Sequence, residues 1–96
     1  MGLPLPSDYR SLDFTATFLA TLATGTFTPS ERKRFLKALD LLDSDEQHPS
    51  LRVHELKGDR DGSWSAAASD VLRMTFERQP GGRKRMLTCS RHYDRG

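Results

Sequence analysis

The chain is poor in several residue types, and each shortage narrows what the protein can be. It has one cysteine, Cys89, so no internal disulfide can form. A lone thiol suits a reducing cytoplasm. We expect Cys89 to be a small, buried, apolar residue. Apolar runs reach only a few residues, which excludes a transmembrane helix. Residues 1–6 lack the charged start and apolar stretch of a signal peptide. We therefore expect a cytoplasmic protein with no membrane association.

Familiar catalytic motifs are also missing. The sequence has no phosphate-cradling glycine loop, no zinc-spaced set of Cys and His, and no G-x-S-x-G elbow. These absences argue against nucleotide hydrolysis, zinc chemistry and an α/β-hydrolase. The length of 96 residues predicts a single domain over residues 1–96 and excludes most large enzyme architectures. We expect neither a metal nor a cofactor.

The net charge of +2 hides an asymmetry between the two halves of the chain. Residues 1–51 carry five Lys and Arg against seven Asp and Glu, for a net charge of −2. Residues 52–96 carry ten against six, for a net charge of +4. A basic half can attract a polyanion such as nucleic acid. An excess of this size also suits an ordinary solvated surface, so charge alone leaves both interpretations open.

The N-terminal half has two helical patterns. Apolar residues recur at helix-face spacing over residues 11–24, and Gly25 follows as a stop signal. Thr28 and Glu31 then form the capping box of a second helix, which runs to about Asp43. These signals predict an antiparallel helical hairpin.

The pattern of the C-terminal half predicts β-strands. Alternation puts Leu72, Met74 and Phe76 on one side of a strand and Arg73 on the other. Residues 2–8 could add a strand at an edge, where their prolines are tolerated. The prediction is an α+β fold with the helical hairpin packed on a small, mainly antiparallel four-stranded sheet. The four strand-length segments, separated by Gly- and Pro-containing turns, are Leu51–Lys57, Ser63–Ser69, Val71–Arg78 and Arg83–His92.

The chain has three histidines, two of which are candidates for proton transfer. His48 precedes a proline in a polar loop and is expected to be structural. His54 and His92 lie in the first and last predicted strands of the sheet, which can bring them together although 38 positions separate them. Histidine exchanges a proton near neutral pH, so the pair suits acid–base chemistry.

Arg73 is the next candidate for a functional role. A guanidinium in the middle of a strand either forms a salt bridge, here with Glu55 or Glu77, or binds a phosphate through two parallel hydrogen bonds. The sequence leaves these two interpretations equal. The run 83–85 is typical of a charged sheet edge that deters pairing with other strands.

The segment from His54 to Phe76 resembles the RelE/ParE superfamily of bacterial type II toxins, and within it the HigB-type messenger-RNA interferases. The shared pattern is a strand ending in His-x-Leu-Lys-Gly, an acidic–basic turn, Trp-Ser, a strand with Arg between hydrophobic residues, and a C-terminal histidine. The matching residues here are His54-Glu-Leu-Lys57-Gly, Trp64-Ser, Leu72-Arg73-Met and His92.

The resemblance implies a toxin that cleaves mRNA in the ribosomal A site, in contact with 16S rRNA and without a metal. Its implied protein partner is a cognate antitoxin, for which apolar surface on the helical hairpin is the expected docking site. Carried over by position, His54 and His92 are the acid–base pair, while Lys57 and Arg73 stabilise the phosphate. The implied RNA-binding residues on or beside the sheet are Arg52, Arg60, Arg83, Lys84, Arg85, Arg91 and Tyr93.

The chain departs from the family pattern just before the last histidine. Relatives have an acidic residue and a tyrosine there, whereas this chain has Ser90 and Arg91, with Tyr93 and Asp94 after His92. Two alternatives of the same fold therefore stay open. One is a ParE-type inhibitor of DNA gyrase, which needs no paired histidines. The other is an antitoxin-binding module that does not cleave RNA.

Overall fold

Two helices and a five-stranded sheet make up the described part of the chain. The computed structural model describes residues 8–58 and 62–91. Short 3₁₀ turns at Pro49–Leu51 and Pro80–Gly82 connect some of the elements. The elements, in chain order, are β1 (Leu12–Phe14), α1 (Ala16–Thr24), α2 (Pro29–Ser44), β2 (His54–Glu55), β3 (Ser63–Ala67), β4 (Leu72–Gln79) and β5 (Arg83–Arg91). None of the described helices is long and apolar enough to cross a membrane.

The strands lie side by side in the order β1, β5, β4, β3, β2. The pair of β1 and β5 is parallel, and the other three pairs are antiparallel. The sheet is therefore mainly antiparallel, as predicted. Its register places Arg73 of β4 directly between Ala67 of β3 and Ser90 of β5.

Local hydrogen bonds explain where both helices begin. In α2 the Thr28 hydroxyl accepts from the Glu31 N–H at 3.1 Å, and the Glu31 carboxylate accepts from the Thr28 N–H at 2.9 Å. This confirms the predicted capping box. The hydroxyl of Thr15 caps α1 by accepting from the Phe18 N–H at 3.0 Å. The first helix ends at Gly25, where a Cβ atom would lie only 2.5 Å from the Thr21 carbonyl oxygen.

The core lies between the helices and one face of the sheet. Leu72, Met74 and Phe76 of β4 are fully buried there, which confirms the predicted alternation. From the helices, Phe18 and Phe35 enter the same cluster without exposed surface. The other large and fully buried side chains are Leu12, Leu22, Leu39, Leu42, Leu51 and Met86.

The prediction of four strands behind a simple helical hairpin is wrong at the N-terminal end. Residues 12–14 form β1 instead of the first helical turn, so α1 is short. Asp43 anchors this segment, since its carboxylate accepts from the N–H groups of Arg10 and Ser11. Because β1 pairs with β5, the run 83–85 lies inside the sheet and not at its edge.

The first predicted strand is also shorter than expected. The segment 51–57 contributes only the two residues of β2, because residues 49–51 form a 3₁₀ turn. The other three strands match their predicted bounds to within two residues. Of the edge strand predicted at 2–8, residues 2–7 lie outside the described residues.

Candidate functional site

The face of the sheet opposite the core carries the candidate site, and we call it the open face. Strand register places His54, Ser65 and Thr75 in one cross-strand row of this face. Arg73 lies two residues along β4 from Thr75 and therefore points to the same side. The Thr75 hydroxyl lies 2.6 Å from that of Thr88. The cross-strand row that begins at His54, on the edge strand, thus continues with short polar side chains.

His54 is exposed, and a hydrogen bond holds its ring. Its Nδ1 atom lies 2.8 Å from the carbonyl oxygen of Arg52. A carbonyl oxygen only accepts, so Nδ1 carries the proton in this contact. In the neutral ring the Nε2 atom then keeps its lone pair, which is the state that a general base requires.

Arg73 has no acidic partner among the described residues. Its Nη1 group donates to the carbonyl oxygens of Ser69 at 2.5 Å and Leu72 at 3.2 Å. Neither salt bridge considered from the sequence forms, and Glu77 pairs instead with Arg85 at 2.5 Å. The remaining N–H groups of the guanidinium make no described contact, so they are available to an anion.

Of the other two predicted catalytic residues, only Lys57 lies within the described residues. Lys57 follows β2, is exposed, and makes no described contact with His54 or Arg73. His92 lies outside the described residues, as do Arg60 and Tyr93. The structure thus joins two of the four predicted catalytic residues on one face.

The remaining predicted RNA-binding cations are all paired with acids. Lys84 is the extreme case, because its side chain is only 6% exposed and lies on the core side of the sheet. This burial removes Lys84 from the candidate RNA contacts. The pairs are Arg52 with Asp70 at 3.8 Å, Arg83 with Asp13 at 2.8 Å, Lys84 with Glu46 at 3.3 Å, Arg85 with Glu77 at 2.5 Å and Arg91 with Glu31 at 2.5 Å.

Cys89 is not a nucleophile in this fold. It is buried at 5% exposure, as expected from the sequence. Burial raises the pKa of its thiol to about 12, so the reactive thiolate is scarce at neutral pH.

A groove of about 820 Å³ runs between α2 and the turn that joins β3 to β4. Its floor includes Ala38 and Leu41, and its rim carries Arg34 and Lys37 one turn apart on α2. Val71, on the other rim, is 47% exposed, the most exposed large hydrophobic side chain in the described ranges. The sequence pointed to the helical hairpin as a docking site, and the i, i+3 spacing of Arg34 and Lys37 is a further signal on its second helix.

Sequence comparisons found no matching protein-family model and no matching curated protein. Solved structures do match. A YoeB/ParE toxin from Agrobacterium tumefaciens is 23% identical, with a TM-score of 0.62 over 88% of this chain and 100% of that one. The toxin–antitoxin complex RelBE2 from Mycobacterium tuberculosis is 18% identical, with a TM-score of 0.60 over 85% and 96%. The YoeB–YefM complex from Staphylococcus aureus is 14% identical, with a TM-score of 0.65 over 86% and 97%. The chain therefore has the fold of the RelE/ParE superfamily toxins.

Proposed function

We propose that this chain is the toxin of a type II toxin–antitoxin pair and that it cleaves mRNA in the ribosomal A site. The fold supports a toxin, since its structural neighbours are toxins. One observation carries the RNA-cleaving activity: the open face presents an imidazole whose Nε2 atom keeps its lone pair, and a guanidinium with no acidic partner among residues 8–58 and 62–91. A protein that acted on gyrase by binding alone would need neither group.

The proposed reaction is a transesterification within the RNA strand. The Nε2 atom of His54 takes the proton of a ribose 2′-OH, and the 2′ oxygen attacks the adjacent phosphorus. Arg73 and Lys57 stabilise the negative charge that develops on the phosphate oxygens. The bond to the 5′ oxygen breaks, and His92 supplies the proton that this leaving oxygen needs. The products are a 2′,3′-cyclic phosphate and a 5′-OH end.

The test is cleavage of a defined mRNA on purified translating ribosomes. The wild type should give fragments with 2′,3′-cyclic phosphate and 5′-OH ends. His54→Ala should lower the cleavage rate about 10²- to 10⁴-fold, because it removes the general base. The control is His48→Asn, since the His48 ring caps the 3₁₀ turn through Nδ1, which contacts the N–H and the hydroxyl of Ser50, and asparagine can cap the turn too.

Two results in bacterial cells that express the chain would overturn the proposal. Growth arrest in cells with intact transcripts and inhibited gyrase would indicate a ParE-type toxin. A chain that neither cleaves mRNA nor arrests growth would be an inactive antitoxin-binding module.

The proposed protein partner is an antitoxin, and the groove beside α2 is its docking site. Two of the structural neighbours are themselves toxin–antitoxin complexes. The groove combines apolar residues with charged ones. Its two acids are already paired, Glu31 with Arg91 and Asp70 with Arg52. Arg34 and Lys37 have no acidic partner among residues 8–58 and 62–91. This combination fits an amphipathic segment with acidic residues along its edge.

Charge reversal on α2 tests the docking site. Lys37→Glu should weaken binding of the antitoxin about tenfold, because it puts a like charge beside the acidic edge of the partner. Lys33→Glu makes the same change on the same helix outside the groove and should have little effect. The measurement is titration calorimetry with the protein from the same genome that restores growth to cells expressing the toxin. Equal effects of the two variants would contradict the assignment.

A further inference from the structure

The backbone of Arg52 is unusual. Its φ of 47° and ψ of 45° are left-handed, and it is the only residue other than glycine with a positive φ in the described ranges. An L-residue avoids this region because Cβ approaches the following carbonyl oxygen. Glycine or asparagine is the ordinary choice there, so an arginine calls for a reason.

Two hydrogen bonds show what this conformation does. The Arg52 N–H donates to the Pro49 carbonyl at 3.2 Å, which closes the 3₁₀ turn. The Arg52 carbonyl then accepts from Nδ1 of His54 at 2.8 Å. The left-handed residue therefore ends the turn and directs its carbonyl oxygen at the imidazole.

We infer that Arg52 is a positioning residue whose main chain, and not its guanidinium, selects the His54 tautomer that keeps Nε2 unprotonated. The inference rests on the proposed function for the role of His54 as the base. The side chain of Arg52 is 65% exposed, and its partner Asp70, at 3.8 Å, is 93% exposed. An ion pair this exposed to solvent contributes little to stability, so it does not explain the strained backbone.

Two substitutions distinguish a role of the Arg52 main chain from a role of its side chain. Arg52→Asn and Arg52→Val both remove the guanidinium, but only asparagine readily adopts the left-handed conformation. Nitrogen-15 NMR of the imidazole should show the Nδ1–H tautomer in the wild type and in Arg52→Asn. In Arg52→Val the Nε2–H tautomer should increase, and mRNA cleavage should fall about tenfold because the base is misdirected.

The NMR result is independent of whether the protein cleaves RNA. An Nε2–H tautomer in the wild type would overturn the inference, and this spectrum needs no variant to fold. An unchanged tautomer in folded Arg52→Val would overturn it as well. If Arg52→Asn lost as much cleavage as Arg52→Val while keeping the tautomer, the guanidinium would be the functional group. Failure of the wild type to cleave, with the expected tautomer present, would count against the proposed function alone.

Discussion

Arg73→Ala should lower the rate of mRNA cleavage about 10²- to 10³-fold and leave the protein folded. Removing one preorganised donor to a developing oxyanion has an effect of this size. Arg73 is preorganised because its Nη1 group is held by the Ser69 and Leu72 carbonyls. Loss of those two bonds should cost about 1–2 kcal/mol of unfolding free energy, which urea denaturation can measure.

Arg85 offers a matched control for Arg73. Both arginines lie on the open face, on neighbouring strands, but Arg85 is paired with Glu77. Arg85→Ala should therefore change cleavage less than about threefold, since that cation is already neutralised. Arg73→Lys should recover part of the activity, because lysine keeps the charge and loses the bidentate geometry. Equal losses for Arg73→Ala and Arg85→Ala would indicate a general effect of positive charge instead of a specific phosphate contact.

Features that depend on near neighbours could be predicted from the sequence. The capping box at Thr28 and Glu31 is a local signal, and it marked the start of α2 correctly. The alternation along β4 is local too, and Leu72, Met74 and Phe76 are buried as it required. Glycine and proline marked the breaks between the antiparallel strands.

Features that depend on distant residues could not be predicted. Strand β1 is only three residues long and forms because it pairs with β5, about 70 positions away. The same pairing brings Asp13 to Arg83 and buries Lys84. A sequence shows how many cations a chain has, but tertiary contacts decide which of them remain available to a ligand. For this reason the sequence could not decide whether Arg73 forms a salt bridge or binds a phosphate.

Because Lys84 is buried, we predict that substitutions of Lys84 and of its partner Glu46 change the free energy of unfolding by unequal amounts. Glu46 accepts from Arg78 at 2.6 Å and lies 3.3 Å from the Lys84 ammonium group. Glu46→Gln should lower the free energy of unfolding by about 2–3 kcal/mol, because it removes the ion-pair partner of a buried ammonium group. Lys84→Met should change it by less than about 1 kcal/mol, since a methionine fills similar space and Glu46 keeps Arg78. Urea unfolding followed by circular dichroism measures both.

The pH dependence of the unfolding free energy and a double variant both test the cluster of Glu46, Arg78 and Lys84. The hydrogen bond from Arg78 lowers the pKa of Glu46 below its usual 4.5 in the folded protein. The wild type should therefore lose this stabilisation as the pH falls below that value, while Glu46→Gln should lack this component. In a Lys84→Met background, Glu46→Gln should lower the free energy of unfolding by less, because no buried ammonium group is left unpaired.

Lys84→Met should also cleave mRNA at the wild-type rate, since a lysine on the core side of the sheet does not reach RNA on the open face. A large loss of cleavage in a stable Lys84→Met protein would return Lys84 to the RNA-binding residues.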